Sequence, residues 1–189
     1  NYAFGARTVS LLKHNGQAGA GAGFLSRTDF PLGMRVEDLA AADVNGDGHL
    51  DLAVGGFQDN NVSYLSILVN DGTGVFAAPV AYEAAPGGFP TPRTAVALRD
   101  LDNDGDADLL GGGVYEDGSI TAGAVTLRRN NGQGVFGAHV AYLLGNFVSD
   151  PWSLSTGDLN GDGFADVVAS TPSGRAIHGY VVLPSNGTG

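Results

Sequence analysis

The chain has 189 residues, 43% of them hydrophobic, with 31 Gly, no Cys and a formal net charge of -11. Its apolar runs are too short to cross a bilayer as a helix, and nine Lys and Arg without a basic cluster argue against a nucleic-acid partner. The lack of Cys removes disulfides, thiol catalysis and Cys-ligated zinc, yet leaves an extracellular location open, because bound metal can staple a secreted chain instead.

Residue 1 is Asn and no basic-then-apolar leader follows it, so a secretion signal is expected to lie upstream or to have been removed. Residues 1–33 include "RTVSLLKHNGQAGAGAGFLSRTDFPLG", read as a strand, a turn at Asn15-Gly16 widened by a Gly-rich insertion, and a second strand. The insertion lacks the strand-to-helix setting and Lys of a phosphate loop. "VEDLAAAD" then leads as a strand into "DVNGDGHLD" (43–51), "LDLAVGG" leads out, and residues 62–87 read as a hairpin turning at Asp71-Gly72. The order recurs with "TAVALRD", "DLDNDGDAD" (100–108), "ADLLGGG" and a hairpin over 123–146 turning at Asn131-Gly132. It recurs again with "WSLSTGD", "DLNGDGFAD" (158–166) and "ADVVAST", and the given sequence stops at "LPSNGTG", on the third hairpin turn.

The three acidic segments open at Asp43, Asp100 and Asp158, 57 and 58 residues apart, a spacing that marks an internal repeat. The reading is all-β, with four antiparallel strands per unit: a hairpin half at 1–33, whole units at 34–90 and 91–149, and a partial unit at 150–189. No sustained helical period appears. Pro31, Pro90, Pro92 and Pro151 fall at the joints between units.

The acidic segments hold eleven of the twenty Asp and Glu. Side-chain oxygens stand at positions 1, 3, 5 and 9, with Gly at position 6: Asp43, Asn45, Asp47 and Asp51; Asp100, Asp102, Asp104 and Asp108; Asp158, Asn160, Asp162 and Asp166. Carboxylates packed this tightly, with no Lys or Arg expected nearby, repel one another by several kcal/mol unless a cation compensates them. Calcium is the simplest candidate, about three ions in all, with a backbone carbonyl from position 7 (His49, Asp106 or Phe164) completing each set. An EF-hand would need a bidentate Glu at position 12 and flanking helices, whereas position 12 is Val54, Gly111 or Ala169 between predicted strands.

On these residues the units resemble FG-GAP repeats, also called VCBS-type repeats, found in integrin α-subunit heads and in many secreted bacterial proteins. The resemblance implies a β-propeller of four-stranded blades, with calcium held between the first two strands of a blade. "VFAAPV" and "VFGAHV" stand where that family carries its Phe-Gly and Gly-Ala-Pro elements, without the full wording. Such calcium is more often a staple between strands than a recognition site.

His14, His49, His139 and His178 share no zinc-ligand spacing, and no nucleophile elbow or separate acidic pair appears. Tyr82 and Tyr142 recur in register, which predicts blade packing, whereas Trp152 and Tyr115 are irregular and are the candidates for surface contact. Asn61-Val62-Ser63 and Asn186-Gly187-Thr188 are glycosylation sequons, meaningful in a eukaryotic source. The expectation is a non-catalytic, calcium-stapled module of an extracellular or cell-surface protein, lectin-like or adhesive, with a protein or glycan ligand. It continues into further blades or self-associates. The alternative is the scaffold domain of an extracellular polysaccharide-active enzyme.

Overall fold

The computed structural model describes residues 7–19, 23–60, 62–85, 94–116, 119–146, 151–171 and 179–186, with Ser26 and Asn146 as backbone only. Among these, thirteen strands and no helix form four antiparallel sheets. The first sheet pairs β1 (Thr8–His14) with β2 (Phe24–Pro31). The second runs β3 (Arg35–Ala42), β4 (Asp51–Phe57), β5 (Ser63–Leu68) and β6 (Val80–Glu83) in sequence order. The third repeats that order with β7 (Val96–Arg99), β8 (Asp108–Glu116), β9 (Thr121–Asn130) and β10 (Phe136–Asn146). The fourth holds β11 (Ser153–Gly157), β12 (Asp166–Thr171) and β13 (Gly179–Leu183). These are propeller-type blades, two of four strands and two partial, and they do not close into a ring.

Each meander follows from its sequence. The middle strands are apolar without strict alternation, and β4, β5, β8 and β9 are almost wholly buried, as strands covered on both faces must be. The first strands of successive sheets, β3 with β7 and β7 with β11, lie side by side. No sheet buries its apolar face alone. The three core clusters lie at the joints: Val9 and Met34 with Val54 and Leu68; Val44, Leu65 and Ile67 with Val96, Leu109 and Phe136; Leu110, Val125 and Leu127 with Leu154 and Val167.

Two glycines allow that approach. A Cβ on Gly55 would collide with the Thr94 carbonyl oxygen, and one on Gly112 would lie 3.1 Å from the Cβ atoms of Ala95 and Pro151. In both places the segment entering the next sheet crosses the second strand; a methyl group does not fit at Gly55, and at Gly112 its neighbours would have to shift by a few tenths of an ångström. Pro151 is buried at one such joint, Pro31 is the last residue of β2, and Pro90 and Pro92 lie outside the described residues.

The fourth strand of the second sheet is shorter than "VFxxxVAY" suggests. β6 begins only at Val80, and Phe76 makes a lone bridge to Asn70, whereas β10 begins at the matching Phe136. Pro79 is the cause, because it has no N–H to give the ladder; His139 stands in its place in the third sheet. Tyr82 packs as expected, edge-on to Phe136 at 5.7 Å. Its counterpart Tyr142 lines a cavity of about 320 Å³ between the third and fourth sheets with Leu101, Leu110, Val125 and Leu127, at the positions matching the Phe136 seat.

Candidate metal-binding loops

Each acidic segment joins the first two strands of a sheet: β3 to β4, β7 to β8 and β11 to β12. Position 6 takes a positive φ in all three, at Gly48 (84°), Gly105 (97°) and Gly163 (90°). Position 4 does so as well, at Gly46 and Gly161, and in the second loop at Asn103 with φ of 61°, a conformation that Asn tolerates better than most residues. These reversals let one side chain collect several backbone donors.

The hydrogen bonds repeat from loop to loop. The position 1 carboxylate accepts the position 6 N–H at 2.7 Å (Asp43), 3.0 Å (Asp100) and 2.9 Å (Asp158). Position 3 accepts from the N–H of position 5, through Asn45, Asp102 and Asn160. Position 5 accepts from the N–H of position 7, so Asp47, Asp104 and Asp162 hold the amides of His49, Asp106 and Phe164 at 2.8, 2.9 and 2.9 Å. Oxygens at alternate positions thus build a chain of side-chain-to-backbone turns. The N–H donors, led by Gly48 for Asp43 and by Gly161 for Asp158, hold both carboxyls below the ordinary carboxylate range.

Position 9 has a structural role that its spacing did not disclose. Asp51, Asp108 and Asp166 are 0%, 0% and 1% exposed. One oxygen of each accepts the N–H of position 2 in its own loop: Val44 at 3.0 Å, Leu101 at 3.4 Å and Leu159 at 3.0 Å. The other accepts an N–H from the start of the hairpin turn: Asn70 at 2.7 Å, Asn130 at 3.0 Å and Ser185 at 2.9 Å. The buried carboxylate therefore ties the loop to the far end of the third strand. Burial raises the Asp108 carboxyl, opposed by the Asn130 N–H and the Arg129 guanidinium.

The hairpin residue that meets position 9 also links neighbouring sheets. Asn130 Nδ2 donates to the Val44 carbonyl of the previous loop at 2.8 Å and to Ala107 in its own at 3.1 Å. Ser185 Oγ donates to Leu101 of the previous loop at 3.3 Å. Position 2 is sealed where a following turn covers it, at Val44 (1% exposed) and Leu101 (3%), while Leu159 in the third loop is 60% exposed. The second and third loops also touch directly, Asn103 Nδ2 donating to the Gly163 carbonyl at 2.9 Å. The only available sequence signal was the polar residue recurring one place before each Asp/Asn-Gly turn.

The second loop differs from its neighbours. Carboxylate oxygens of Asp100, Asp102 and Asp104 lie within 4.8 Å of one another, and Asp100 Oδ1 is buried with no hydrogen-bond partner among the described residues. An orphaned oxygen beside two further carboxylates fits a hard divalent cation. The expectation that no basic side chain attends the loops fails here. Arg129, on β9, reaches Asp102 at 3.3 Å and pairs with Asp108, because strand pairing brings residue 129 beside the loop.

Of the remaining candidates, His14 stacks edge-on with Phe24, His139 lies 3.4 Å from Arg128, and His178 and Asn61 lie outside the described residues. Trp152 is exposed ahead of β11, and Tyr115 is half-buried on β8.

An array of four antiparallel sheets, three of them with an acidic loop between their first two strands, defines a β-repeat protein of the propeller type. The sequence model of the FG-GAP-like repeat matches residues 43–111 and 115–169, and that of the FG-GAP repeat matches 151–188; the chain belongs to the FG-GAP-like repeat family. No curated protein is similar enough to match the chain.

Proposed function

We propose that the chain is a calcium-binding, non-catalytic module of an extracellular or cell-surface protein, in which loops 43–51, 100–108 and 158–166 each hold one ion and the assembled sheets present a surface for a protein or glycan ligand. The observation that carries the reading is the convergence of Asp100, Asp102 and Asp104 around the partnerless Asp100 Oδ1. Positions 1, 3 and 5 would supply side-chain oxygens in every loop, with the carbonyls of His49, Asp106 and Phe164 and the buried position 9 carboxylates beside them. A bound calcium would supply charge compensation and a rigid tie between strands. The residues themselves hold the turn, through the N–H bonds to positions 1, 3 and 5, and anchor it to the hairpin through position 9.

Modules of this kind in calcium-rich surroundings work with dissociation constants on the order of 10⁻⁴ to 10⁻³ M. Exposed Trp152 and Tyr180 are the aromatic groups best placed to meet a ligand. Calorimetric titration with calcium, paired with thermal unfolding in calcium and in chelator, tests the reading. About three ions and a lower melting temperature in chelator are expected; no binding would refute it.

A further inference from the structure

The second loop departs from the other two in charged residues at three places. Position 3 is Asp102 where the others have Asn45 and Asn160, position 7 is Asp106 in place of His49 and Phe164, and the residue before the hairpin Asn is Arg129, where the matching positions hold Val69 and Pro184. In the first and third loops the position 3 amide nitrogen donates to the position 5 carboxylate, at 2.9 Å from Asn45 to Asp47 and 3.0 Å from Asn160 to Asp162. Asp102 has no such donor to offer Asp104. The compensating charge comes from the third strand, where Arg129 Nη1 reaches both Asp102 and Asp108. Arg129 Nη2 is buried and meets no acceptor among the described residues. The guanidinium is therefore tied on one side only, to the two carboxylates of positions 3 and 9.

We infer that Arg129 is a built-in counter-ion of the second loop, holding Asp102 and Asp108 together when no cation is present and competing with a divalent cation for the Asp102 carboxylate. The inference rests on the reading that the loops take calcium. A cation gathered by Asp100, Asp102 and Asp104 sits within a few ångströms of Nη1, and like charges that close oppose each other strongly in a half-buried site. Binding must therefore loosen the Arg129–Asp102 pair. The second loop is partly neutralised and formed without metal, and its affinity is lower than its five carboxylates would give unopposed. Arg129 also lines the cavity between the third and fourth sheets, so occupancy of this loop is felt at that joint.

The test is calcium titration by calorimetry of the wild type, Arg129→Met and Arg129→Gln, each also with Asp100→Asn, which identifies the step belonging to the second loop. That step is expected to tighten by about tenfold or more in Arg129→Met, equivalent to about 1.4 kcal/mol, while the other two steps stay where they are. In chelator Arg129→Met should melt below the wild type, with the deficit shrinking as calcium saturates. Arg129→Gln also removes the charge, with a shorter side chain that keeps a polar amide; it should show the same tightening and covers the case in which Arg129→Met does not fold. An unchanged or weakened step in either folded variant overturns the inference while leaving the calcium reading standing, as does an equal melting deficit with and without calcium. If the wild type binds no calcium, both fall together.

Discussion

Replacing Asp51 separates a structural role of the acidic loops from the proposed role in holding a cation. The carboxylate is fully buried and accepts Val44 N–H at 3.0 Å and Asn70 N–H at 2.7 Å. Asp51→Ala leaves both donors unpaired in the interior, at about 1–3 kcal/mol each, so a loss of about 4 kcal/mol is expected. For a chain of this size that lowers the melting temperature by roughly 10 °C. Asp51→Asn keeps the shape but can accept only one of the two N–H groups, and should fall about halfway. The control is Asp47→Asn, at exposed position 5, whose bond to His49 N–H lies at the surface and should shift melting by no more than about 3 °C. The decisive assay is thermal unfolding in excess chelator. If the carboxylates serve only a cation, the Asp47 and Asp51 variants are alike there and both resemble the wild type. An Asp51→Ala protein that melts in chelator within about 2 °C of the wild type would refute the structural role argued from these bonds.

Three further outcomes can be checked with the same instrument. Gly55→Ala pushes a methyl group against the Thr94 carbonyl and should cost about 1–3 kcal/mol by overpacking, whereas Gly157→Ala, where a Cβ meets nothing within 4 Å, should be nearly silent. Asn103→Ala should cost about 1–2 kcal/mol because φ of 61° suits Asn and Gly, and Asn103→Gly should recover most of it, losing only the bond to Gly163. Metal-free protein should lose stability in acid: Asp43, Asp71 and Asp158 have folded pKa values below their unfolded ones, so their contribution is present above the unfolded carboxylate range, near pH 3.9, and is lost as pH falls through the folded values. Asp108 has the opposite sign, since burial raises it and protonation there favours the folded state. An acid unfolding curve that stays flat until well below pH 3 would contradict the first group.

The repeat, the all-β class and the strands flanking each loop were legible because short apolar runs, Asn/Asp-Gly turns and a spacing of 57 and 58 residues can be read directly along the chain. The short β6 was legible in principle, since Pro79 stands in the sequence. Arg129 was not. It is 21 residues from Asp108, and only the pairing of β8 with β9 brings it to the loop. The link from Asn130 to Val44 spans 86 residues and exists only because one sheet stacks on the next. Spacing alone also could not tell a carboxylate that faces solvent from one that is buried, and so it assigned positions 1, 3, 5 and 9 a single role.

That burial changes what a cation at these loops would stabilise. The position 9 carboxylate joins its loop to the third strand of the same sheet, and the hairpin residue it holds reaches back to the previous loop, from Asn130 to Val44 and from Ser185 to Leu101. A cation that stiffens the second loop therefore braces the carbonyl on which Ser185 of the fourth sheet rests, as well as the turn itself. Repeat proteins draw much of their stability from nearest-neighbour interfaces, so a tie at a joint counts for both neighbours. Removing one ion should accordingly lower the cooperativity of unfolding as well as its midpoint, and Asp100→Asn should broaden the calcium-saturated transition. Asn130→Ala should broaden it too, although its side chain bonds none of the proposed ligand oxygens, because it deletes the bond that carries the coupling from one sheet to the next.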